Sequence, residues 1–118
     1  PLSVKNAILK FNTFKKEKFK KYLVLGEMLE LGQNSKKYHE EISKVINNSD
    51  IDKVFVKGKQ TIFTFKNLNK NKRGNILQNT EGIDLNLRNI ISNNDYLMIK
   101  GSNATGLNNF SKNIIKGI

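Results

Sequence analysis

The sequence contains no cysteine, one histidine, two arginines and one proline, and each scarcity removes a class of function. Without cysteine there are no disulfides, no thiol nucleophile and no thiolate metal site. One histidine cannot supply the usual pair of imidazole ligands at a zinc centre. No apolar run approaches the roughly 18 residues that a membrane helix needs, and no signal peptide opens the chain, so a cytoplasmic protein without membrane insertion is the expectation. Also missing are a nucleophile elbow, a Ser-His-Asp order and a complete dinucleotide fingerprint.

What is present is a chain of 118 residues, enough for one domain with a real core and too short for two. Lys and Arg number 21 against 10 Asp and Glu, a net charge of +11. That excess would ordinarily suggest nucleic acid. Here it is almost all lysine, accompanied by abundant asparagine and isoleucine, residues that share A/T-rich codons. Codon bias and a solvated surface account for it, and a basic nucleic-acid-binding module is kept as the alternative from another functional class.

The hydrophobic pattern alternates between two periods. Val4, Ala7, Ile8 and Phe11 mark an amphipathic helix, for which Pro1 and Ser3 suit the first turn. A proline start without methionine looks cut from something longer. The lysine-rich stretch Lys15 to Lys21 reads as a solvated helix end and linker, with a basic membrane-surface helix as the lesser alternative. Tyr22 to Leu25, ended by Gly26, has the profile of a strand buried on both faces. Asn34 or Ser35 can cap a helix carrying Tyr38, Ile42, Val45 and Ile46, and Lys53 to Val56 predicts a second strand.

Gln60 to Leu68 is ambiguous, since Thr61, Ile62, Phe63, Thr64 and Phe65 favour strand by propensity whereas the βαβ rhythm asks for a helix. Helix is the expectation. Asn69 to Gly74 reads as a flexible loop and Asn75 to Leu77 as a weak strand. Ile83, Leu87, Ile90 and Ile91 mark a further helix, Tyr96 to Ile99 a strong strand, and Leu107, Phe110 and Ile114 a closing helix. The fold class is therefore α/β, a mainly parallel sheet with helices on both faces. Ligands in such sheets bind beyond the carboxyl ends of the strands, which selects Gly26 to Gly32, Lys57 to Lys59 and Lys100 to Gly106.

Three features there have chemical potential. The turn KGSNATG has the G-x-x-x-x-G spacing from Gly101 to Gly106, but Leu107 and Asn108 replace the Lys and Ser or Thr of a phosphate loop. With Lys100 and Ser102 beside it, the turn suits a carboxylate or phosphate oxygen; equally, Lys100 pairs with an acidic neighbour while Ser102 or Thr105 caps the helix. The GKQT at Gly58 to Thr61 is a chance match to the same motif. In GEMLELG, Glu27 and Glu30 lie on a loop that Gly26 and Gly32 let turn, a possible acid and base or cation site with no geometry fixed by spacing. His39 is placed to face that loop, although a lone histidine more often caps or packs.

The strings VLGEMLELGQNSKKYHEEI and DYLMIKGSNATGLNNF, with the GK between them, resemble the C-terminal domain of the Mur ligases. The pattern is that of the branch with VLGDMLELG, a Ser and a His on the next helix, and VLVKGSR near the end. The resemblance covers nearly the whole chain, and Pro1 to Ser3 match the tail of the family's Asn-Ala-Asn-Pro-x-Ser segment. It implies a three-layer Rossmann-like domain, residues 1–118, cut from a three-domain cytoplasmic and monomeric enzyme of peptidoglycan precursor synthesis.

In such enzymes ATP and magnesium are bound mainly by the central domain, which phosphorylates the carboxylate of UDP-N-acetylmuramoyl-tripeptide. The amine of D-alanyl-D-alanine then attacks the acyl phosphate. The resemblance implies that this chain, inactive alone, works with the enzyme's own N-terminal and central domains. It places Lys100, Gly101, Ser102 and Asn103 at the acceptor dipeptide, and Gly26, Glu27, Glu30 and His39 on a loop and helix by the interdomain cleft. No catalytic residue and no metal site is implied in the chain itself. Glu27 stands where the family has aspartate, and Asn103 where it has arginine, which removes a bidentate carboxylate binder. An amide ligase of the folylpolyglutamate synthase type is the sister alternative.

Overall fold

A computed structural model describes residues 2–28, 34–77, 89–92 and 94–101. Along the chain run α1 (Leu2–Asn12), β1 (Lys21–Gly26), α2 (Ser35–Asn47), β2 (Lys53–Lys57), α3 (Thr61–Asn67), a 3-10 turn (Lys70–Lys72), β3 (Arg73–Ile76) and β4 (Tyr96–Lys100). The described strands form one sheet in the order β3-β2-β1-β4, and every pairing is parallel. The α/β expectation therefore holds, as do the strands read at Tyr22 and Tyr96 and the helix read through Tyr38.

Period-two alternation sorts the strand residues onto two faces. Leu23, Leu25, Val54 and Val56 point to one, where Val4, Ile8 and Phe11 of α1 and Tyr38, Ile42 and Ile46 of α2 pack on them. Tyr22, Val24, Phe55 and Leu77 build a second cluster on the other face, joined by Leu97, Ile99 and Ile91. Right-handed crossovers explain the division: β1 to β2 to β3 step one way across the sheet, which puts α2 and α3 on the same side, and the step back to β4 brings Ile91 over the opposite side. The Ile83 and Leu87 part of the helix expected before the Tyr96 strand, and the whole closing helix, lie outside the described residues.

The ambiguous threonine-rich segment is α3, because a parallel β3 beside β2 requires a crossover that a strand cannot make. Tertiary contacts overcome its strand propensity. Thr61 and Thr64, three apart on one helix face, are both fully buried, and the Thr61 hydroxyl donates to the Gly58 carbonyl at 2.6 Å.

Two expectations are corrected. The segment from Asn69 is pinned and not a flexible loop: Asn69 N–H donates to Asn47 Oδ1 at 2.9 Å, and the Lys72 ammonium donates to the carbonyls of Ser49 and Ile51 at 2.9 and 2.7 Å. Burial, with Lys16 nearby, lowers the Lys72 pKa. The strand there begins at Arg73, two residues before Asn75, and Gly74 belongs to it because a Cβ would lie 2.7 Å from the Phe55 ring.

The second correction concerns the basic run. Lys21 is no part of a solvated linker; it is the first residue of β1 and is completely buried. Its ammonium donates to the carbonyls of Phe11 and Phe14 at 2.8 and 2.6 Å and to Asp50 at 2.8 and 3.0 Å, and lies 5.5 Å from the centre of the Phe11 ring. A cation thus satisfies carbonyls at the carboxyl end of α1, where helix and charge attract. The Lys21 backbone N–H donates to Asp52 at 2.8 Å, and Lys16 pairs with the same carboxylate at 2.7 Å.

Lys21→Met removes the ammonium from the Phe11 and Phe14 carbonyls and from the Asp50 carboxylate. A loss of roughly 2–4 kcal/mol in unfolding free energy is expected, measured by denaturant titration. A loss within ~0.5 kcal/mol, the usual range for a surface lysine, would mean that the ammonium does not hold α1 to the sheet.

Candidate functional site

The strand order reverses between β1 and β4: the chain moves outward from β1 through β2 to β3, then returns to the other side of β1. Open α/β sheets bind ligands at the carboxyl ends of the strands beside such a reversal. Leu25 is paired with Lys100 across it, and Gly26 with Lys57 on the other side. The topology therefore brings together Gly26, Glu27, Lys100 and Gly101 of the sequence-predicted residues. By alternation Lys100 shares a face with Tyr96 and Met98, which pack on the α1 and α2 side. Ser102, Asn103 and Glu30 lie outside the described residues.

Of the carboxylate pair read in GEMLELG, only Glu27 lies within the described residues. Its Oε1 accepts the Gln60 N–H at 3.1 Å, at the start of α3. Gly58 makes this possible: its φ is +114°, a conformation that L side chains rarely adopt, and a Cβ there would sit 2.8 Å from Glu27 Cβ and 3.0 Å from Oε2. The half-buried Glu27 side chain thus leans towards β2 and fastens the end of β1 to the β2–α3 turn. The GKQT match contains no phosphate loop, and its glycine has this packing role instead.

His39 is buried completely between α2 and α3. The Thr64 hydroxyl donates to the His39 carbonyl at 2.7 Å, so the 3.0 Å contact with His39 Nδ1 requires Nδ1 to carry the ring proton. Nε2 is then an acceptor, and among the described residues it has no hydrogen-bond partner. Burial lowers the His39 pKa, with the nearby Glu27 charge acting weakly in the other direction. The packing alternative for a lone histidine is what the structure realises. At the start of α2, Asn34 occupies the cap position but its side chain makes no capping bond, and the buried Ser35 hydroxyl has no hydrogen-bond partner among the described residues.

Sequence reasoning missed Gly58, Gln60 and Thr64. The only signal available was a glycine directly after a strand; the Thr64 partnership spans 25 residues and leaves no local trace. Among the described residues no group of three or more His, Asp or Glu could hold a metal ion, and no helix is long and apolar enough to cross a membrane. At the ends of β1 and β4 the described residues place Glu27, held to the start of α3, and Lys100 with Gly101.

No family model matches the chain. It is 34% identical over 100 residues to the UDP-N-acetylmuramoyl-tripeptide–D-alanyl-D-alanine ligase of Bacillus subtilis, covering 82% of this chain and 22% of that protein. The ligases of the same name from Rickettsia prowazekii and Buchnera aphidicola are 30% and 32% identical over 71% and 81% of the chain, and 19% and 21% of their own lengths. The chain thus spans about a fifth of the length of the curated relatives it matches. The crystal structure of the MurF ligase from Thermotoga maritima in complex with ADP shares the fold, with a TM-score of 0.80 over 99% of this chain and 26% of that one at 24% identity.

His39 gives a pH dependence whose sign is fixed. Its folded-state pKa lies below the ordinary 6.5, so the unfolded chain takes up a proton more readily. Stability from this residue is fully present above about pH 6.5 and is lost as pH falls from there towards the lowered folded value. Denaturant titrations at several pH values between about 7.5 and 5 should show a steeper loss in the wild type than in His39→Asn. Equal slopes would contradict a histidine buried in its neutral form.

Proposed function

The chain belongs to the UDP-N-acetylmuramoyl-tripeptide–D-alanyl-D-alanine ligases, a branch of the Mur ligases, over the segment it spans, and we propose that it is their C-terminal, acceptor-binding domain. One observation supports the reading above the rest. The strand reversal sets the ends of β1 and β4 side by side, with Leu25 opposite Lys100. The two stretches that carry the resemblance, GEMLELG and KGSNATG, begin at those ends.

In this reading the Lys100 ammonium, the Gly101 N–H and the Ser102 hydroxyl hold the carboxylate of D-alanyl-D-alanine, the charge-assisted kind of contact that fixes a small anion. Asn103 contributes a neutral side chain where the family has arginine. The wall at Glu27 and His39 bounds the cleft and helps to exclude water, so that the dipeptide amine attacks the activated carboxylate of UDP-N-acetylmuramoyl-tripeptide ahead of solvent. ATP, with magnesium, would supply that activation as an acyl phosphate and would be held mainly by the central domain of the polypeptide. The absence of a GxxxxGK[ST] loop from this chain agrees with that division. The domain acts in the cytoplasm, as part of a monomeric enzyme that binds neither nucleic acid nor membrane.

The test is kinetic. In the complete ligase, Lys100→Ala should raise KM for D-alanyl-D-alanine by roughly tenfold or more while the melting temperature moves by no more than ~2 °C. Unchanged kinetics with a lowered melting temperature would assign Lys100 to structure. The 118-residue chain alone should show no ATP hydrolysis above buffer; measurable turnover would contradict the division between domains.

A further inference from the structure

Both ends of the connection from β1 to α2 are fastened to the same short helix. At the β1 end the Glu27 carboxylate takes the Gln60 N–H, at the entrance to α3, and packs into the space that Gly58 leaves open. At the α2 end His39 and Thr64 exchange two hydrogen bonds, ring Nδ1–H to hydroxyl and hydroxyl to backbone carbonyl. The entrance to α3 is itself tied down by the Thr61 hydroxyl on the Gly58 carbonyl. Thr61, Thr64 and His39 are completely buried, so water does not compete for these bonds.

From this geometry we infer that α3 is the platform that fixes the cleft wall, and that Thr64 is a positioning residue: it touches no substrate and sets where α2 begins relative to the end of β1. A threonine suits the task. Its hydroxyl is donor and acceptor at once, whereas valine, of similar shape, offers neither. With the Thr64 proton committed to the His39 carbonyl, the imidazole is locked in its Nδ1–H form and presents Nε2 as an acceptor. The inference rests on the proposed ligase reading only where it calls this wall a cleft.

The experiment compares Thr64→Val with Thr64→Ser, which keeps the hydroxyl. In nitrogen-15 NMR of the 118-residue chain, the wild type and Thr64→Ser should show the His39 Nδ1–H tautomer, and Thr64→Val should lose it. Backbone amide shifts should change in the valine variant at Asn34 and Ser35, with Tyr22 and Lys53 at the far end of the sheet unmoved. In the complete ligase, Thr64→Val should raise KM for the acceptor dipeptide by about tenfold with kcat within about twofold, and Thr64→Ser should restore it. A valine variant that retains the tautomer, or valine and serine variants with equal effects, would overturn the inference. If the wild-type enzyme does not use D-alanyl-D-alanine at all, the ligase reading falls while the tautomer and amide shifts still decide the role of Thr64.

Discussion

A strand whose residues are all inaccessible needs a neighbour at each edge and a packed layer on each face, and β1 meets all four demands at once. Its burial determines where the other elements go. β2 and β4 satisfy its backbone groups, α1 and α2 cover Leu23 and Leu25, and the second cluster closes over Tyr22 and Val24. The two ends of the strand then do different work. At the entering end the Lys21 ammonium binds α1 and Asp50. At the leaving end Glu27 binds α3. The buried charges and pinned loops of the amino end give rigidity to the sheet, and the carboxyl end presents what the rigid sheet positions.

That division follows a general property of parallel sheets. Every strand leaves at the same end, so loops of differing sequence gather there, and the reversal in strand order opens a crevice between two of them. Here the reversal lies between β1 and β4, whose carboxyl ends are Gly26 and Lys100. Among the described residues no group of three or more His, Asp or Glu could hold a metal ion, and the chain spans about a fifth of the length of the relatives it matches. In the proposed ligase reading, the chemistry of activation falls to the rest of the polypeptide.

Much of the fold was legible because burial on both faces leaves a simple mark. YLVL and YLMI are continuous apolar runs ended by glycine or a lysine and glycine, and the spacing of Tyr38, Ile42 and Ile46 admits only a helix. Lys21 was not legible, since a lysine ending a basic run is written like its exposed neighbours, and only the carbonyls of Phe11 and Phe14 show why it is inside. The start of β3 was misplaced because Gly74, a loop signal in sequence, is there to admit the Phe55 ring. For the candidate site, position was readable and orientation was not. The strand ends located Gly26, Glu27, Lys100 and Gly101, whereas the turn of Glu27 towards Gln60 and the pairing of His39 with Thr64 depend on contacts between residues 25 or more apart.

The proposed function requires that the ends of β1 and β4 together receive the acceptor. The most direct measurement is an NMR titration of the complete ligase, isotopically labelled in this domain, with D-alanyl-D-alanine. The amides of Gly26 and Glu27 and those of Lys100 and Gly101 should shift together, with one saturation curve, while Lys21 and Lys53 at the amino end of the sheet stay still. Shifts confined to the amino end, or to only one of the two strand ends, would contradict it.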